Sequence, residues 1–232
     1  MSANADKNNE EKKSFDTKLS AFFVKTRFVF LGIIAALFVI AIVFGIVFTV
    51  KDNSTKAGLT EVDTITTELS AARSDLKDDA LKTKEDELFE RAKALAEKNT
   101  KNITGSRAYM LMAEIQYSRK NWNDAKNAWI AAAEANPKAY TAAYCYYNVG
   151  VCAEEMKNFD EAIKYLTMTT EAEKFPLKPH ALFSIGRIEE QRGNYEQAAK
   201  SYEELVAAYP SDAWTTLAKS RLITLSVEGK TN

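Results

Sequence analysis

The chain has 232 residues with 31 basic and 32 acidic side chains, a net charge of −1, and so lacks the clustered excess of Lys and Arg that phosphate binding needs. One histidine and two cysteines supply no metal-ligand set, and neither a glycine-rich phosphate loop nor a nucleophile signature is present. These absences argue against an enzyme and predict no cofactor and no small-molecule substrate.

Residues 1–27 form a tail that is polar and Asn/Lys/Glu-rich up to about residue 20, where Phe15 and Leu19 are the only large apolar side chains. It is expected to be largely disordered. From Phe28 to Val50 run 23 uncharged residues rich in Phe, Ile, Val and Leu, a helix of roughly 35 Å at about 1.5 Å per residue, enough to cross a bilayer. The run is longer than a signal-peptide core and leaves through Phe48-Thr49-Val50-Lys51 without a small-x-small cleavage site, so residues 28–50 are read as an uncleaved transmembrane anchor. Lys7, Lys12, Lys13, Lys18, Lys25 and Arg27 precede it, against Lys51 and Lys56 just after it. By the positive-inside rule the N-terminus stays in the cytoplasm and the rest is translocated. Beyond the anchor, 25 bases face 28 acids, which again predicts no nucleic-acid partner. Gly32/Ala36 and Ala41/Gly45 have a small-xxx-small spacing that would allow helix pairing, but the motif is weak and is read first as small residues facing lipid.

Residues 51–58 read as a short polar linker. Residues 59–105 read as helical, because neither Gly nor Pro occurs between Leu59 and Thr104, with a break placed near Lys82–Asp86. Val62, Ile65, Leu69, Ala72 and Leu76 make one apolar stripe, which suits packing on the next hairpin or a short coiled coil. Ala92 lies 33 residues before Ala125, which places a degenerate hairpin ahead of a clearer array. Cys145 and Cys152 fall seven apart on one helix, about 10 Å along its axis; a disulfide needs less than about 7 Å. Both are therefore read as buried, unpaired thiols.

Over residues 106–211 a motif appears three times. Asn121-Trp122-Asn123-Asp124-Ala125, Asn158-Phe159-Asp160-Glu161-Ala162 and Asn194-Tyr195-Glu196-Gln197-Ala198 recur at intervals of 37 and 36. Each suits a helix-to-helix turn in which Asn caps the second helix by accepting a backbone N–H and the side chain three residues on reaches back. The aromatic then packs at the corner, and the Ala lets the two helices approach. Small residues recur upstream (Ala113, Gly150, Gly186), and Trp129, Leu166 and Tyr202 follow one turn after each Ala. Pro137 and Pro210 stop the second helices, and residues 212–226 read as a solvating C-terminal helix.

These features resemble the tetratricopeptide repeat family. Gln116, Ala153 and Glu189 depart from its usual tyrosine, and Lys174 stands where a proline is expected. The resemblance implies an all-α protein: an N-terminal transmembrane helix followed by an α-solenoid of helical hairpins, whose first helices line a concave partner-binding face. The spacing i, i+3, i+7, i+10 selects Arg107, Met110, Glu114 and Tyr117 in the first repeat. It selects Tyr144, Tyr147, Val151 and Glu154 in the second, and His180, Phe183, Arg187 and Glu190 in the third. Aromatics mixed with both charges suit an interface, although Tyr147 and Phe183 suit packing between repeats equally well. The family's clamp for C-terminal carboxylates is not matched: Met110 and Glu114 fill the places of its first Lys and Asn, and only Asn148 agrees.

The arrangement of tail, anchor and translocated repeats, with the run Arg91–Gln116, also resembles the YfgM-type family of ancillary SecYEG translocon subunits. That resemblance implies a single-pass protein of the bacterial inner membrane with its repeats in the periplasm, linking translocon subunits to periplasmic chaperones. Two alternatives stay open: an envelope scaffold for outer-membrane assembly or cell division, and a non-catalytic regulatory subunit of an envelope enzyme.

Overall fold

The computed structural model describes the backbone of residues 3–173 and 175–231, and side chains from residue 17 onward apart from 18, 19 and 23. Lys174 and the side chains of Lys7, Lys12, Lys13, Phe15, Lys18 and Leu19 lie outside the described residues. The chain divides into two compact units, Met1–Ser54 and Thr55–Asn232.

The described residues form helices only. Helix α1 is Ala3–Asp75, α2 Asp78–Lys98, α3 Ile103–Ser118, α4 Trp122–Ala135, α5 Thr141–Glu155, α6 Phe159–Glu171, α7 Lys178–Gln191, α8 Tyr195–Ala208 and α9 Ala213–Val227. Two expectations are corrected by α1, because the tail from Ala3 and the stretch 51–58 are both helical. Neither contains proline, and Gly58 sits where only a hydrogen fits: a Cβ there would lie 2.6 Å from Thr104 Cγ2. In the first unit, the side chains of Phe28, Leu37, Phe44 and Val50 are exposed. The helix is long and apolar enough to cross a membrane once, by length and composition.

In the second unit, the last part of α1 pairs with α2. Val62, Ile65 and Leu69 pack in one cluster with Leu88, Ala92, Ala96, Ala108, Leu111 and Ile115. The Val62–Ala72 stripe thus packs on the neighbouring hairpin. The break falls at residues 76 and 77, ahead of Lys82–Asp86, where Lys84, Glu85 and Asp86 pair with Glu68, Arg73 and Arg119 of neighbouring segments. Glu85, 5% exposed, accepts from Arg73 Nε and Arg119 Nε, both at 3.1 Å, tying α1, α2 and α3 together.

The three later hairpins are α3–α4, α5–α6 and α7–α8, and the small residues sit where the helices cross. A Cβ on Gly150 would meet Leu166 Cγ at 2.8 Å, and one on Gly186 would meet Tyr202 Cε1 at 2.5 Å. Ala125, Ala162, Ala198, Trp129, Leu166 and Tyr202 are all buried. Cys145 and Cys152 are buried free thiols, each pushed up to about 12 mainly by burial.

The turns close differently from the capping expected. Asn121, Asn158 and Asn194 precede α4, α6 and α8, yet none accepts a capping bond through its side chain. Their side chains donate instead: Asn121 Nδ2 to Gln116 Oε1 (2.8 Å), Asn158 Nδ2 to Glu161 Oε2 (2.8 Å) and Asn194 Nδ2 to Glu189 Oε2 (2.7 Å). The preceding residue in each turn is left-handed: Lys120 (φ 60°), Lys157 (φ 58°) and Gly193 (φ 78°). Backbone bonds Lys120 N–H to Tyr117 O and Asn121 N–H to Gln116 O complete a Schellman closure, repeated at 157–158 and 193–194. With ψ of 63–74°, the Asn backbone lies outside the extended region from which a side chain reaches forward as a cap.

Helix α9 seats Thr215, Ala218 and Leu225 inward and leaves Leu217, Ile223 and Val227 exposed at 49%, 65% and 82%. Its outer face therefore mixes these apolar side chains with exposed Thr216, Lys219, Ser220 and Ser226.

Candidate partner-binding face

The first helices α3, α5 and α7, with the end of α1 and with α9, share one side of the array: polar or ring contacts link α3 to α1, α5 to α7 and α7 to α9, and Met110 and Tyr117 of α3 pack in one apolar cluster with Cys145, Val149 and Cys152 of α5. From α3, Arg107 Nη2 donates to Asp63 Oδ1 of α1 at 2.7 Å. Between α5 and α7, Arg187 Nη2 donates to Glu154 Oε2 at 2.8 Å. Between α7 and α9, Glu190 accepts from Arg221 Nε at 3.0 Å, and from Tyr202 Oη of α8 at 2.6 Å. Burial pushes the Glu190 carboxyl up, but the bonds from Arg221 and Tyr202 outweigh it and hold the group below its ordinary value.

Tyr147 of the second stripe and His180 and Phe183 of the third join in a stack with Trp214. Tyr147 is 7% exposed, its hydroxyl lies 2.7 Å from His180 Nδ1, and burial raises the phenol to about 12. The His180 ring stacks on Trp214 at 3.9 Å and 9°, while Phe183 sits between Tyr202 and Trp214 at 5.5 and 5.1 Å. Burial, then the charge of Arg187, lowers the His180 imidazole below its ordinary value. Tyr147 and Phe183 therefore have clear packing partners between hairpins, and Tyr147 presents little surface to anything else.

Five stripe residues are not taken up in this way. Met110 and Tyr117 are half-buried against the cluster holding Cys145, Val149 and Cys152, with the Tyr117 ring edge-on to Trp122 at 4.9 Å. Tyr144 is 36% exposed and edge-on to Trp129 at 5.7 Å. Val151 is half-buried against the next cluster. Glu114 is half-buried, and burial raises its carboxyl while the charge of Arg73 partly offsets this.

Sequence reasoning missed Asp63, Arg73, Glu85, Arg119 and Trp214 as partners, all brought in by hairpin stacking. One signal was available for the turns: Gly193 stands just before Asn194 in the third motif, aligned with Lys120 and Lys157. Among the described residues, no cluster of three or more His, Cys, Asp or Glu could hold a metal.

Stacked antiparallel hairpins joined by one repeated turn, with their first helices on a common face, define an α-solenoid repeat protein. The tetratricopeptide repeat profile matches residues 110–169 and 153–213, so this part of the chain consists of tetratricopeptide repeats. It is 34% identical over 151 residues to a "TPR repeat-containing protein" of Treponema pallidum (strain Nichols), a match covering 65% of this chain and 63% of that protein. The chain thus spans less than two thirds of that relative's length. Among solved structures, the MamA protein is similar at a TM-score of 0.51 and 16% identity, over 72% of this chain and 87% of that one; this likeness concerns the fold alone. The TPR domain of Arabidopsis OM64 aligns at a TM-score of 0.43 and 24% identity, over 51% of this chain and 94% of that one.

Proposed function

We propose that this chain is a membrane-anchored adaptor that binds proteins along its first-helix face and does no chemistry of its own. The observation that carries the reading is the pairing of two surfaces in one chain. Residues 28–50 form an exposed apolar helix, and the repeats present partly exposed aromatics on a shared face. An anchor confines the repeats near the bilayer and raises the local concentration of whatever they hold, so weak contacts suffice.

The placement proposed is the bacterial inner membrane, N-terminus inside, with the repeats in the periplasm linking the Sec translocon to chaperones of exported chains. The charge bias around the anchor supports the orientation; the assignment to the translocon rests on the family resemblance. Photo-crosslinking from positions along 28–50 in intact membranes is expected to capture translocon subunits. Adducts to none of them would overturn that assignment and leave the adaptor reading standing. A second reading, a scaffold for envelope assembly or division, is favoured by α9. Leu217, Ile223 and Val227 on its outer face offer a second contact surface, as a scaffold joining several proteins needs.

A further inference from the structure

Charges on the first-helix face are almost all cancelled from within. Arg107 is paired with Asp63, Glu154 with Arg187, and Glu190 with Arg221. Arg73, which lies near Glu114, is already held by Glu85 and donates to Ser118 Oγ at 3.1 Å. Glu114 alone among the charged stripe residues has no hydrogen bond or ion pair within the described residues. It is half-buried, and Met110, about one turn before it, and Tyr117, about one turn after, share its face of α3. A carboxylate partly screened from water and lacking a hydrogen-bonded cation is less well solvated than one in the open, and a cation arriving there would offset that loss as binding.

Resting on the docking reading above, we infer that Glu114 is the point at which the face recognises a cationic side chain, a Lys or Arg of a partner protein. The aliphatic stem of that residue lies along Met110 and the Tyr117 ring, and its charged head donates to the carboxylate. Glu155, exposed and close enough to raise the Tyr117 phenol, adds negative charge at this end of the face and favours a basic segment over an acidic one. The partner segment is therefore amphipathic: apolar residues for the aromatics, and one buried cation.

The test uses the full chain in detergent micelles with three fluorescent peptides that alternate Leu with Lys, with Gln or with Glu, each carrying a photo-reactive Leu. The Lys peptide is expected to bind most tightly and to crosslink to α3. Glu114→Gln should weaken it by about tenfold or more, the usual scale for losing a charge-assisted bond, and leave the Gln peptide unchanged. Glu203→Gln, which removes the same charge from an exposed position on α8, should leave the Lys peptide nearly unaffected. Equal losses at the two positions, or no loss in Glu114→Gln, would overturn the inference by reducing the preference to general attraction or removing it. If the Gln peptide crosslinks to α3 and α5 and Lys adds nothing, the cation site falls and the docking face survives. If no peptide crosslinks to the first helices, both fall. Thermal unfolding of Glu114→Gln, expected to be unchanged or raised, shows that any loss of binding is not loss of fold.

Discussion

Replacing Gly186 by Ala tests how the third hairpin is built. A methyl at Gly186 would sit 2.5 Å from Tyr202 Cε1 and 2.8 Å from Cδ1 and Cζ, about 1 Å inside ordinary contact. The Tyr202 ring has nowhere to retreat: it is fully buried and its hydroxyl is held by Glu190, which is also paired with Arg221. Overpacking of this kind costs about 1–3 kcal/mol. Tilting the ring also weakens a bond to a charged acceptor, worth about 1.5–3 kcal/mol when lost outright. Ala returns about 1 kcal/mol of helix propensity relative to Gly. The net expectation is a destabilisation of about 2 kcal/mol, or roughly 4–8 °C in Tm for a unit of this size. Circular dichroism melting of Gly186→Ala, alone and with Tyr202→Val, measures it. Most of the cost should vanish in the Tyr202→Val background, a coupling of at least about 1 kcal/mol. A neutral or stabilising Gly186→Ala, or the same cost in both backgrounds, would refute the reasoning.

Lys120 and Lys157 hold the left-handed position that Gly193 holds in the third turn; Lys120→Gly and Lys157→Gly should each raise stability by about 0.5–1 kcal/mol, and Gly193→Lys should lower it similarly, read by denaturant titration. Because burial among Tyr147, Trp214 and Arg187 lowers the His180 imidazole, the unfolded chain binds the proton more readily. His180 therefore contributes stability above its ordinary value of 6.5 that is lost as pH falls below it. Melts between about pH 7 and 5 should show this decline, and His180→Phe should flatten it even if its baseline stability differs.

The architecture was largely legible because it is written in local spacing. The apolar stripe Val62–Ala72, the triplicated Asn-aromatic turn and the small residues at 113, 150 and 186 each depend only on near neighbours in sequence, and the structure gives each a packing role. The turns themselves were read correctly and their chemistry was not. Asn resembles a cap, but a left-handed residue before it already satisfies the last carbonyls of the first helix, leaving its side chain free to donate elsewhere. The face was legible in position more than in state. Periodicity selects Glu154, Arg187 and Tyr147, but their pairing joins residues 33 apart, and it depends on how each hairpin is rotated on the next. That rotation decides which stripe residues are spent on each other and which, such as Glu114 and Tyr144, remain. Tyr147, being buried, is a poor probe of docking, whereas Tyr144 is 36% exposed.

Docking on the first-helix face is tested most directly by placing a photo-reactive amino acid at Tyr144 and, in a parallel variant, at Glu203, exposed on α8, and irradiating intact cells. The account predicts discrete protein adducts from Tyr144 and none of the same proteins from Glu203. Adducts of equal yield from both positions, or from Glu203 alone, would contradict it.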